Sequence, residues 1–569
     1  MAAVPANALQ RWMFAAAVLG GGSWMAWQLW VAVTACGGFY YAIDDAYIHL
    51  AMARNLAETG TYGVAPHVFS SASSSPAWTV GLGLTMLLTP AQLALYVPFV
   101  LAVCCSLGAC WLIAAALTRH QLATTRWQAA MAVLLAALWP VWLGMPTLAL
   151  GGMEHPVHLL VTMLIAWQLA RVVQTGDGVA ALLVLGFLTP LVRFESLAPI
   201  CAAAGVLAYT KRWRLAGGLL ALAALAMLTQ GLWSVAHGES WLPNSVLVKM
   251  HIHAPHATAS IAAAGGQAGV APEAPGRFSQ LFDLLLVILN RWGANIGYSL
   301  AMVVLLCGAL ALAGYRAGRA AFTRGDGAVL AVFLGTFLAQ TAMVAGGPDF
   351  GRYQSYLVGI GLLAVAWLAG ELVLQPRQAA WRPVALGGGV VGALVIVFLP
   401  AMQREAQAGA AVPGVLGHVR VAEFLQEVAP TGTLVGEDLG ALVWWRPAPV
   451  LDVYGLASHE IALHQLAGDY DANVLDKLTR QQGAQIAAIR HGTMPLPPGH
   501  SIGQRPPHWQ AVGLYANDGG APLEMAMGFF ATEPGAVPRL RQALQQWRAR
   551  GVHPGRVILM GEPGTESLR

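Results

Sequence analysis

Asp44 and Asp45 stand side by side just past an uncharged apolar run, Trp12 to Ala35, that is long enough to cross a bilayer. Two adjacent carboxylates at a membrane exit suit proton or cation chemistry at that surface. One can accept the proton of an attacking hydroxyl while another acid orients it or binds a divalent metal. The pair also opens a helical pattern, with Ile48, Ala51, Met52 and Leu56 recurring at spacings of three and four, so first-turn capping is the alternative use. Tyr47, His49 and Arg54 place further polar groups on the same segment and are candidate substrate contacts.

Glu154, within GGMEHP at 151–156, is the only acid between Arg126 and Asp177. It falls at a second expected membrane exit, where glycine leaves backbone open and Pro156 starts a helix. Arg193 and Glu195 interrupt an apolar stretch, a costly place for charge unless the groups pair or act on a ligand. Asn244 and Lys249 lie in a long loop, and Arg352-Tyr353 follows GGPDFG. Cations gathered beside carboxylates describe a site that holds a phosphate and activates a hydroxyl. His251, His253 and His256 have no firm ligand spacing.

These groups need a scaffold, and composition names its class. With 57% hydrophobic and 10% charged residues in 569, the chain reads as a polytopic membrane protein. A net charge of +4 with scattered Lys and Arg excludes the basic stripe of a nucleic-acid binder. Apolar runs predict spans near 12–35, 92–117, 127–146, 156–173, 178–192, 195–210, 215–236, 297–315, 327–345, 354–373 and 383–402, or about eleven crossings. Most Lys and Arg residues before position 403, among them Arg119, Arg126, Lys211, Arg316 and Arg324, then fall on one side, which is taken as cytoplasmic. The opposite face receives the loops 36–91 and 237–296 and everything after 403. The 76–88 stretch is too short to span and suits an interfacial helix.

Two domains follow: a membrane domain over 1–402 and, where charge returns, a soluble α/β domain over 403–569. Glu423–Val428 and Val537–Arg550 predict helices, whereas Thr433–Asp438, Val450–Tyr454 and Ile486–Ile489 predict strands. Trp444 and Trp445 suit packing of that domain or stacking on a sugar.

The segment FYYAIDDAYIHLAMARNLAETGTYGVAPHVFSSASSSPAWT resembles the first outer loop of the GT-C superfamily of glycosyltransferases, most closely the branch of mycobacterial terminal arabinofuranosyltransferases. GGMEHP, LTPLVRFES, LPNSVLVK, GGPDFGRY, LVGEDLGALVWW and VLDVYGL echo the same branch in consistent order. The resemblance implies a bacterial inner-membrane enzyme with its tail in the periplasm. It would move a single sugar, arabinofuranose by branch, from a polyprenyl monophosphate to a glycan, lipid or protein acceptor. Asp44 or Asp45 would be the base, and Glu154 would shape or metallate the site, with Asp45 and Glu154 as ligands of a divalent cation. Arg193, Lys249 and Arg352 would grip the donor phosphate, and no nucleotide cofactor is implied. Arg-Phe-Glu at 193–195 departs from the Arg-Pro-Glu of many relatives, and Asp349 is displaced from the position that an acid often holds. A glycolipid transporter or flippase is the rival, and it would place its ionisable groups near mid-span.

Overall fold

The computed structural model describes residues 4–120, 124–249, 296–318, 322–343, 352–374, 396–490, 505–516, 526–551 and 555–562. His251, His253, His256, Asp349 and much of the span expected at 383–402 lie outside the described residues. The chain is mostly helical with an α/β region at its C-terminal end. It forms two compact units: Met1–Phe39, Pro98–Thr229 and Pro272–Ala411 in one, and Tyr40–Val97, Gln230–Ala271 and Val412–Arg569 in the other. Residues 40–91 of the expected first loop therefore belong to the same compact unit as the tail.

In the helical unit, apolar side chains recur all round the helices, as a hydrocarbon solvent demands. Among the described residues, Ala91–Thr118, His155–Gln174, Trp213–Ala236 and Ala301–Gly318 are long and apolar enough to cross a membrane. Ala6–Cys36 has the length, but with Ser23, Gln28 and three consecutive glycines it is not among these four. The expected eleven crossings are thus not reproduced as eleven full-length helices among the described residues. Val179–Val192 and Leu197–Tyr209 are short, separated by Arg193 in extended backbone. The single crossing expected at 127–146 is three helices, Arg126–Ala136, Trp139–Trp142 and Met145–Gly151. Pro140 and Pro146 cannot donate to a continuing helix and each sits at the start of a new one, while Gly144 turns the chain at φ 75°.

Two buried polar groups inside this unit have well-defined partners. Buried Asp326 takes Arg119 at 2.9 Å, Arg316 at 3.0 Å and the Trp367 indole N–H at 3.1 Å. One acid thus answers two cations at once. Gln28, fully buried in the Ala6–Cys36 helix, accepts from the Gly409 N–H at 2.7 Å and donates to the Ala406 carbonyl at 3.2 Å. Gln28→Leu would leave that N–H and carbonyl unanswered. The expected loss is about 1–3 kcal/mol, read as a lower melting temperature in detergent.

The second unit centres on a six-stranded sheet of order β2-β1-β3-β5-β4-β6. Its strands are β1 (Leu434–Gly436), β2 (Val450–Asp452), β3 (Ile486–Arg490), β4 (Gln510–Ala516), β5 (Met527–Ala531) and β6 (Arg556–Leu559). β1 runs parallel to both β2 and β3, and the remaining pairs are antiparallel. The predicted strands and the helix Val537–Ala549 fall where the periodicity put them, within a few residues, whereas the helix expected at Glu423–Val428 begins ten residues earlier, at Pro413. Val435, Leu451, Ala487 and Phe530 pack in one cluster with Val248. Fully buried Arg446 closes the turn before β2, donating to the carbonyls of Ala429, Thr431, Gly432 and Pro449.

The chain leaves β1 toward β2 on one side and later returns to β3 on the other. Such a reversal opens a crevice beyond the carboxyl ends of the parallel strands. Glu437 and Asp438 follow β1, Asp452 ends β2 and Arg490 ends β3, so the sheet delivers four charged groups to that edge.

Candidate functional site

The helix Asp45–Thr59 starts at the acid pair, ends at Gly60 in the left-handed region, and carries Asp44 as its N-terminal neighbour. Asp44 makes no side-chain cap to its own helix. Its carboxylate instead accepts the N–H groups of Gly440 at 2.6 Å and Ala441 at 2.8 Å, the second and third residues of the helix Leu439–Trp445. Arg54, ten positions further along, donates to the carbonyls of Val443 and Trp444 at 3.0 and 2.7 Å and lies over the Trp444 ring. Anion and cation from one helix thus complement the two ends of another helix's dipole.

The same scaffold uses Tyr47 and His49. Tyr47 is fully buried, accepts the Tyr41 N–H at 2.8 Å and packs on Trp445. The His49 ring sits 3.0 Å from the Thr79 hydroxyl and 3.2 Å from that of Ser73. These side chains, read from the sequence as substrate contacts, are occupied in packing the first-loop segment. Trp444 and Trp445 likewise engage Arg54 and Tyr47.

Asp45 differs from its neighbour. Its carboxylate is 26% exposed and lies 3.3 Å from the Lys249 ammonium, itself 40% exposed. Two groups of opposite charge therefore share a water-accessible position.

Around Asp44 lies a charged cluster that the sequence offered only as fragments of LVGEDLGALVWW and VLDVYGL. His418 stands 3.7 Å from Asp44 and 3.6 Å from Asp438. Arg490 reaches Glu437 at 3.3 Å and Asp438 at 3.4 Å. Asp452 accepts the N–H groups of Tyr454 and Ala457, both at 2.9 Å, and burial pushes it up to about 6. Burial and the neighbouring Asp438 also raise Glu437. His418 carries no motif, and its position on the Pro413–Val428 helix reveals itself only when that helix is folded beside β1.

Burial favours a neutral His418, but Asp438 and Asp44 outweigh it and push the ring up to about 9. A histidine raised from 6.5 contributes stability that is complete below pH 6.5 and lost as pH rises through 9. After screening, that contribution is on the order of 2 kcal/mol. Unfolding of wild type and His418→Gln across this window should converge at the alkaline end. Parallel curves would remove the ion-pair role.

In the helical unit, Arg193 pairs with fully buried Glu154 and donates to Glu195 at 3.1 and 2.5 Å. Arg193 and Arg352 both lie over the Tyr353 ring, at 5.2 and 4.9 Å from its centroid. His155 meets that ring edge-on at 5.2 Å. The structure thus brings Glu154, Arg193, Glu195, Arg352 and Tyr353 into one cluster within this unit. Among the described residues, no three His, Cys, Asp or Glu side chains converge to hold a metal ion. Asp45 and Glu154, the expected ligands, belong to different compact units, and each faces a side-chain cation.

A family described as a domain of unknown function, DUF8728, matches residues 403–532. No curated protein matches the chain in sequence. Among solved structures it is similar to the oligosaccharyltransferase of Archaeoglobus fulgidus in the apo form, at 12% identity and a TM-score of 0.49, covering 90% of this chain and 74% of that one. The same archaeal enzyme tethered to an acceptor peptide containing the NVT sequon gives 13% identity and 0.48, covering 91% and 74%. Its complex with an inhibitory peptide and a dolichol-phosphate gives 13% and 0.45, covering 91% and 75%. The likeness is distant at each comparison.

Proposed function

We propose that this chain is a membrane glycosyltransferase that moves one sugar from a polyprenyl monophosphate to a hydroxyl of a glycan, lipid or protein acceptor. The observation that carries the reading is the division of labour in the acid pair. Asp44 accepts two backbone N–H groups, whereas Asp45 pairs with the Lys249 ammonium, a side chain that can turn to a ligand. In the proposed step the acceptor oxygen bonds to the anomeric carbon as the bond from that carbon to phosphate oxygen breaks. The acceptor proton passes to Asp45, and polyprenyl phosphate leaves with its charge countered by Lys249. The leaving group is already good, so positioning and charge neutralisation are the main demands. The order of motif-like segments supports the GT-C assignment, and the donor's lipid chain suits the apolar helices. In the helical unit, Arg193 and Arg352 are the candidates for anion binding. Arabinofuranose as the sugar, the bacterial inner membrane as location and a periplasmic tail complete the proposal.

The experiment is transfer by full-length protein in nanodiscs from a panel of polyprenyl monophosphate sugars, with and without chelator. Transfer from one monophosphate donor is the expected result, and the chelator arm reports whether a divalent cation takes part. Movement of an intact glycolipid across the bilayer without transfer would instead select the flippase reading.

A further inference from the structure

Lys249 lies on a helical segment described over 244–249, whose start is fixed by a buried polar node. Asn244 is fully buried. Its backbone N–H donates to the Ser71 carbonyl at 3.1 Å, and its side-chain amide donates to Glu239 at 2.7 Å. Its side-chain oxygen lies 3.0 Å from Nδ1 of His459, which is also 3.1 Å from Glu239. The Ser71 hydroxyl donates to the same Glu239 oxygen at 3.0 Å. Three segments far apart in sequence therefore meet on one amide side chain. Further along the helix, Val248 is fully buried among Val435, Leu451 and Ile461.

Its direction is set by the contacts of its first turn and of its buried face. The polar node fixes the first residue and Val248 fixes the face, so Lys249, about 100° further round, has its direction set toward Asp45. Because a side-chain amide both donates and accepts, Asn244 can bridge a carboxylate and a ring N–H at once. Aspartate or leucine there would lose one partner or both.

We infer that Glu239 and His459, acting through Asn244, are positioning residues that aim Lys249 at Asp45. The inference rests on the proposed glycosyl transfer for its kinetic consequence, but the geometry of Lys249 can be read without any turnover. Lys249 is one of three lysines in the chain, with Lys211 and Lys477, so acylation of each amine can be followed by peptide mass analysis.

The test compares His459→Leu and His459→Asn in full-length protein in nanodiscs. Asparagine can return an N–H near the place of Nδ1, whereas leucine cannot. Acetylation of Lys249 should rise several-fold in His459→Leu relative to Lys211 and Lys477, and stay near wild type in His459→Asn. Transfer should fall about tenfold in His459→Leu, a loss that disappears in a Lys249→Met background because both changes remove the same contact. If His459→Leu fails to fold, Glu239→Gln serves as the second variant, with a smaller rise in Lys249 labelling expected. Unchanged Lys249 labelling in a folded variant, or an undiminished transfer loss in the Lys249→Met background, overturns the inference. Absence of transfer in wild type would overturn the proposed function alone, since the labelling contrast still decides the positioning role.

Discussion

Asp45→Asn should lower glycosyl transfer by about 10²–10⁴-fold while leaving the protein folded and donor binding largely intact. The amide keeps the volume and the place at the start of the Asp45–Thr59 helix but cannot take a proton from the acceptor hydroxyl. It also leaves Lys249 without its carboxylate partner, so the donor phosphate would meet an ammonium less neutralised than before. The neighbouring Asp44→Asn should behave differently. Its carboxylate holds two N–H groups of the Leu439–Trp445 helix, and an amide can accept at only one end. The expected cost is about 1–3 kcal/mol of stability, with activity following the folded fraction. Measured side by side, the two variants separate a group in the chemistry from one in the scaffold. Equal transfer by wild type and Asp45→Asn, at matched folded protein, would remove Asp45 from the reaction.

Gly440→Ala should be among the most damaging single methyls in the second unit. A Cβ at Gly440 would stand 1.9 Å from the Asp44 carbonyl oxygen and 2.7 Å from its carboxylate. Nothing flexible can yield at the first contact, since it is backbone, so the helix Leu439–Trp445 must move away from Asp44. Both charge-assisted hydrogen bonds then weaken together, and Arg54 loses its register on the far end of the same helix. A loss of about 3–5 kcal/mol is expected, with transfer abolished because Asp45 sits directly beside the displaced residue. Gly414→Ala supplies the comparison, since a Cβ there meets nothing within 4 Å. Similar melting of the two variants would show that the close approach at Gly440 has little energetic weight.

Much of the helical framework was legible because hydropathy is a property of neighbouring residues. Helices at His155–Gln174, Trp213–Ala236, Arg324–Met343 and Ser355–Leu374 lie within a few residues of the apolar runs that predict them. The reading failed where length alone suggested one crossing at 127–146, because Pro140, Gly144 and Pro146 break an otherwise apolar stretch. In the tail, alternation located β1, β2 and β3, but not that β1 lies between the other two with charged residues at its carboxyl edge.

The site divides in the same way. By itself the sequence determined that two acids open a helix after an apolar run, that Glu154 is isolated among apolar residues, and that Arg193 must find a counter-charge. Burial cost alone demands the last of these, and Glu154 and Glu195 meet it. Only the tertiary structure showed which aspartate of the pair is held by backbone N–H groups, because the groups that engage Asp44 come from 396 and 397 residues further along the chain. The same holds for His418, Glu239 and His459. Their roles are set by partners brought close through sheet topology and core packing, and neither interaction leaves a local pattern for the sequence to display.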